Sequence, residues 1–140
     1  MSISSRISQY INSLAEAKKQ DIEMLHQSII QLHPQGKLWF EDGVNSEGKV
    51  VSNPNIGYGE CMLSYANGIS RAFYRVGISA NSSGISVYFF GMPDKNFLKE
   101  TFATRIGKAA VTGYCIKFKS LQQIHVEVLL EAIGYAFSLS

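Results

Sequence analysis

The chain has little with which to staple, anchor or steer itself. Two cysteines in 140 residues, Cys61 and Cys115, cannot build a disulfide framework and read as thiols of a reducing compartment. No apolar run approaches the length of a membrane span, and the first residues lack the apolar stretch of a secretory leader. The expected address is therefore the cytoplasm, with no membrane partner. Thirteen basic against eleven acidic side chains leave a charge of +2, too little to demand nucleic acid or a membrane surface. Internal repeats, low-complexity tracts and linkers are missing too. What remains is globular composition, 46% hydrophobic and 17% charged, in a length that suits a single domain spanning 1–140.

The first third reads as helix. Ile3, Ile7, Tyr10, Ile11 and Leu14 recur at helical spacing, and Ile22, Leu25, Ile29 and Leu32 continue the pattern. Ser13 and Glu16 fit a capping box, so the spacing predicts a short helix, a break near Asn12 and Ser13, and a longer helix stopped before Pro34. Leu38-Trp39-Phe40 reads as a short strand or anchor. Glu41 to Gly57, rich in Gly, Asn and Ser, reads as a loop of roughly seventeen residues.

The middle third reads as antiparallel sheet. Tyr58 to Tyr65 and Ile69 to Ile78 flank Asn67-Gly68, which predicts a hairpin with a two-residue type I′ turn. A second turn at Asn81-Ser82-Ser83-Gly84 feeds a third strand, Ile85 to Phe90. Asp94 then caps a helix carrying Phe97, Leu98, Phe102 and Ile106, closed by Gly107. A strand through Tyr114 to Phe118 follows, and Ser120 with Gln123 caps a last helix. The expected fold is a two-layer α+β domain: N-terminal helices, a three-strand antiparallel meander, helix, strand and C-terminal helix.

A two-residue turn places Met62 opposite Phe73 and Glu60 opposite Arg75. Alternation then sends Cys61, Leu63, Tyr65, Ala72, Tyr74, Val76, Ile78, Ile85, Val87 and Phe89 to an apolar core face. The opposite face takes Tyr58, Glu60, Met62, Arg71, Phe73, Arg75, Tyr88 and Phe90, with Cys115 and Lys117 joining from the last strand. Rings mixed with a charge pair are unusual on a solvated sheet. Three readings stand: a second small core covered by the N-terminal helices or the Trp39-Phe40 segment, a homodimer interface, or a ligand site.

Most chemistries find no pattern. His26 and His33 lie seven residues apart, about 10 Å along a helix, too far to share an ion without other ligands. No Cys-x-x-Cys or His-Glu-x-x-His is present, and the carboxylates are scattered. Cys115 has no histidine to activate it. Gly57-Tyr58-Gly59 precedes a strand rather than a helix, the wrong context for a phosphate loop. The small charge surplus and the lack of a glycine-aromatic RNA motif argue against nucleic acid.

Four strings carry a likeness: Asn53-Pro54-Asn55-Ile56-Gly57-Tyr58-Gly59-Glu60, Phe73-Tyr74-Arg75-Val76-Gly77-Ile78-Ser79, Gly84-Ile85-Ser86-Val87-Tyr88 and Gly113-Tyr114-Cys115-Ile116-Lys117-Phe118-Lys119-Ser120-Leu121. They resemble the YdhG-like family, domain of unknown function 1801, and with the N-terminal helices the likeness covers nearly the whole chain. The resemblance implies a two-layer α+β fold similar to type III secretion chaperones, in agreement with the element order. It implies little about activity, since members are small and intracellular and offer no catalytic residues to carry over. Some relatives are described as frataxin-like iron chaperones, but this chain lacks the dense acidic ridge frataxins display. The strings meet the mixed face at Tyr58, Glu60, Arg75, Tyr88, Cys115 and Lys117.

The expectation is a non-enzymatic binding or adaptor module without a cofactor, whose partner is a small anionic ligand or a protein. Arg75, restrained by Glu60, would hold an anion, Tyr58 and Tyr88 would supply rings and hydroxyls, and Lys117 would add a cation near Cys115. The alternatives are an iron chaperone using helix carboxylates with His26, and a homodimer joined through the aromatic face.

Overall fold

The helical spacing at the N-terminus produces two helices with one apolar stripe each. The computed structural model describes residues 2–139. Helix α1 (Ile3–Asn12) is capped by the Ser2 hydroxyl, which accepts the Ser5 N–H, and it buries Ile7, Tyr10 and Ile11. Helix α2 (Glu16–Leu32) buries Ile22, Leu25 and Ile29 and ends ahead of Pro34. The expected capping box at its start does not form. Ser13 Oγ instead donates back to the Tyr10 carbonyl at 2.6 Å, closing α1, and α2 begins from Ala15 without a side-chain cap.

The strands are β1 (Leu38–Glu41), β2 (Asn55–Tyr58), β3 (Cys61–Ser64), β4 (Ser70–Phe73), β5 (Val76–Asn81) and β6 (Gly84–Phe89). Helix α3 (Phe97–Phe102), strands β7 (Ala110–Val111) and β8 (Cys115–Phe118), a 3₁₀ turn at Leu121–Gln123 and helix α4 (Val126–Ser138) complete the chain. α3 stops short of the predicted end at Ile106, because Gly107 leaves the helix to bridge Ile124 beside α4. α4 likewise starts later than its predicted cap at Ser120, after the 3₁₀ turn has spent Leu121 in the core.

Six strands form one antiparallel sheet in the order β1-β2-β5-β6-β8-β7, and β3 with β4 makes a separate two-stranded ribbon. The contacts of α1 with β1, α2 with β5 and β6, and α4 with β5 set the helices on the sheet. The fold is the expected α+β arrangement. Register defines the face beneath the helices: Phe40, Ile56, Ile78, Val87 and Ile116 pair across the strands, as do Leu38, Tyr58, Val76 and Phe89. Against them α2 and α4 set Ile22, Leu25, Ile29, Leu129, Ala132 and Ile133, all fully buried.

The hairpin register differs from the expected one by a single residue. Tyr65 N–H donates to the Ile69 carbonyl and Gly68 N–H to the Tyr65 carbonyl, so the loop is Ala66-Asn67-Gly68. Only Gly68, at φ +81°, enters the left-handed region there, which makes a type I turn closed by a glycine bulge instead of a type I′ turn. Met62 therefore faces Ala72, and Cys61 faces Phe73. A one-residue shift exchanges the two faces of a strand. Two breaks add to it: Gly59, at φ +74°, ends β2, and a bend at Tyr74 and Arg75 separates β4 from β5.

Candidate functional site

On the side of the sheet away from the helices, the register leaves a gap and then fills it. Gly57 and Gly77 are direct cross-strand neighbours on that outer face. A Cβ on Gly57 would stand 2.4 Å from Tyr74 Cγ, and one on Gly77 would stand 2.5 Å from Tyr74 Cε2. The Tyr74 ring thus lies flat over both glycines and is itself buried, which holds its hydroxyl well above the ordinary tyrosine value. Sequence alternation had assigned Tyr74 to the core face. The bend behind it turns the side chain to the other side, and the paired glycines receive it.

Around Tyr74 the rings form a continuous row. Phe73 lies 4.1 Å from Tyr74 between centroids, and Phe90 sits edge-on to both at 5.1 and 5.2 Å. Trp39 closes one end at 6.0 Å from Phe73, while Tyr88 and then Tyr114 extend the other through stacked pairs at 6.3 and 6.4 Å. Tyr74 is the buried member, Trp39, Phe73, Tyr88 and Phe90 are half-buried, and Tyr114 is exposed. Cations stand on the rings: Lys37 Nζ is 4.1 Å from the Trp39 centroid, and Arg71 Cζ is 4.7 Å from that of Phe73. Neither Trp39 nor Tyr114 figured among the sequence candidates, and Tyr74 was on the wrong face. The available signal was a glycine set between large side chains in each of two runs, Ile56-Gly57-Tyr58 and Val76-Gly77-Ile78.

The predicted site residues separate. Tyr88 and Lys117 remain on the outer face, on the adjacent strands β6 and β8. Tyr58 does not: β2 points it into the core, 2% exposed, where its hydroxyl meets His26 Nδ1 at 2.7 Å. The one-residue register shift is the reason. Arg75 is 6% exposed, and its Nη1 donates to the carbonyls of Phe90 and Gly91 at 3.1 and 3.0 Å, so it ties the bend to the end of β6. Glu60 is exposed, 3.7 Å from Lys37 Nζ, and lies with Arg75 beside Cys61 in the bend rather than opposite it within a strand. Cys115 is 1% exposed, and burial raises its thiol above the usual value, outweighing Lys117. A buried protonated thiol is a packing group.

Nor do the N-terminal helices cover this outer face: they pack on the apolar one. Among the described residues no three His, Cys, Asp or Glu side chains gather where a metal ion could sit. His26 is engaged with Tyr58, and burial lowers its basicity against the opposing pull of Glu23. A folded value below the unfolded 6.5 means that the neutral imidazole is favoured by folding. Its contribution is intact above 6.5 and is lost as pH falls through the folded value. The urea midpoint is expected to drop more steeply between about pH 7.5 and about pH 5.5 in the wild type than in His26→Gln. Parallel curves for the two proteins would contradict it.

Compared with protein-family models, curated proteins and solved structures, the chain matches none. No helix among the described residues is long and apolar enough to cross a membrane.

Proposed function

We propose that the chain is a non-catalytic binding module, of YdhG-like type, that takes an extended acidic protein segment on its outer sheet face. The row of rings from Trp39 to Tyr114 carries this reading, because it is continuous, half-exposed and flanked by cations. It crosses five adjacent strands. At about 4.8 Å per strand that is about 19 Å, the length of roughly six extended residues. Aromatic side chains supply contact area at little cost in side-chain entropy, and Arg71 and Lys117 supply the sign of charge that selects an acidic partner, Lys37 being shared with Glu60. A cytoplasmic address accords with the two free cysteines.

The chain contains one tryptophan, and it stands in the row, so its fluorescence reports on this face alone. Acidic hexapeptides carrying one Phe or Tyr are expected to change Trp39 emission saturably, with basic hexapeptides of equal ring content inactive. Arg71→Glu should weaken the acidic peptides about tenfold or more, since reversing a flanking charge turns attraction into repulsion. Equal response to both peptide charges, or emission that no peptide moves, rejects the proposal. Emission that changes with protein concentration alone would instead assign the face to a second copy of the chain.

A further inference from the structure

We propose that a basic hollow at the far end of the sheet binds a small soluble molecule carrying two or more phosphate charges. The hollow measures about 450 Å³, and Lys108, Lys117 and Lys119 line it together with Ser83 and Gln123. Three neighbouring pieces of structure bring the lysines together. β8 contributes Lys117, paired with Ser86 on one side and Ala110 on the other. Lys119 follows β8 where Gly84 allows the β5–β6 turn to approach its backbone, with a would-be Cβ only 2.8 Å from Lys119 Cα. Lys108 is anchored by its N–H to the Gln123 carbonyl at 3.0 Å.

Among the described residues no carboxylate lines the hollow and none of the three lysines is ion-paired. One acid lines the adjoining depression, where Asp21 stands with Lys18 and Lys119. Asp21 is already engaged, accepting the Leu121 N–H at 3.1 Å. Lys18 donates to the Asn81 carbonyl and so holds the rim of the same turn. Four lysines against one carboxylate give a local excess of three on a chain whose formal total is only +2. Lysines lining one hollow with such an excess create a positive potential that a multivalent anion relieves best. Lysine presents a compact charge with three donors, which suits phosphate oxygens without demanding one planar geometry. The wall of Ile85, Ala109 and Phe118 gives the remainder of such a molecule an apolar surface.

This site goes beyond the peptide-binding reading, touching it only at Lys117. The test is calorimetric titration with inorganic pyrophosphate at fixed ionic strength, with sulfate as comparator. Pyrophosphate is expected to bind saturably to one site and sulfate at least tenfold more weakly. Lys108→Ala and Lys119→Ala should each weaken pyrophosphate at least fivefold, whereas Lys49→Ala, in the exposed 42–54 loop, should leave it unchanged. Trp39 emission, read in the same titration, is expected to stay constant, because β1 is at the opposite side of the sheet. Absence of saturable heat overturns the proposal, and so does an equal loss in Lys49→Ala, which would mean general charge attraction. Adsorption to phosphatidic acid vesicles without pyrophosphate binding overturns it in favour of a lipid surface. Failure of the acidic peptides is read separately through Trp39 and leaves this result unaffected.

Discussion

Replacing Tyr74 by alanine is expected to destabilise the fold by about 3–5 kcal/mol, the range for removing a buried aromatic ring. Such a loss is a large fraction of the roughly 5–15 kcal/mol that holds a domain of this class together. The ring is 4% exposed and roofs two glycines that have no side chains of their own. Without it, the β2–β5 pairing at Gly57 and Gly77 is opened to water from the outer side. Tyr74→Phe keeps the ring and should cost less than about 1.5 kcal/mol. Gly77→Ala supplies a sharper check. Its Cβ would collide with Tyr74 Cε2 at 2.5 Å in the wild type, yet the backbone there is ordinary extended strand. The substitution is therefore expected to destabilise the wild type and to stabilise Tyr74→Ala, by filling the vacated space and removing the glycine's entropic cost. Urea unfolding of the four proteins measures this cycle. If Gly77→Ala changes stability equally in both backgrounds, the ring does not pack over the glycines.

The layers of the fold were legible because they rest on periodicity. Ile22, Leu25 and Ile29 on α2, and Leu129, Ala132 and Ile133 on α4, repeat at helical spacing and are all buried. In β5 and β6, Val76, Ile78, Ile85, Val87 and Phe89 alternate and all reach the core. The first hairpin was less legible because one turn sets its whole register. Asn67-Gly68 serves a two-residue loop and a three-residue loop alike, and the difference between them lies in the backbone angle of Asn67. Gly59 then ended β2 where alternation had carried the strand on, since periodicity alone does not register a residue in the left-handed region.

The same single-residue shift decided which of these residues lie on the expected face. Tyr88 and Lys117 lie beyond the hairpin, in strands whose alternation is unbroken, and they keep their predicted face. Tyr58 lies at the break and exchanged faces, so a proposed ligand contact became a buried partner of His26. Cys115 kept its face yet is too buried to meet a ligand, because Tyr88 stands directly opposite it across the β6–β8 pairing. Trp39 was visible as an apolar anchor, but its place beside Phe73 depends on β1 pairing with β2 across the long loop. That pairing leaves no local pattern.

Arg75 is where the two levels meet, and the Arg75→Ala variant separates a ligand contact from a structural clamp. Two charge-assisted bonds of about 1.5–3 kcal/mol each, not fully additive, place the expected loss at about 2–4 kcal/mol. The carbonyls of Phe90 and Gly91 lose the donor that the guanidinium brings to them. Since the Phe90 N–H also donates to the Arg75 carbonyl at 2.9 Å, the side chain and backbone of one residue fasten the end of β6 from both directions. Gly91→Ala approaches the same contact from the other side: its Cβ would lie 2.6 Å from Arg75 Nη1, so it should displace the guanidinium, and the strain of a side chain at φ +69° adds to the loss. Arg75→Lys retains a charge but not the planar guanidinium whose Nη1 meets both carbonyls, and should fall between the wild type and Arg75→Ala. Hexapeptide and pyrophosphate affinities, measured well below the unfolding transition, are expected to stay within about twofold of the wild type in Arg75→Lys. Unchanged stability combined with lost affinity would return Arg75 to the role of a ligand contact. The exposure of 6% argues the other way, because a guanidinium sealed behind the Phe90–Gly91 backbone has no free face to offer a ligand.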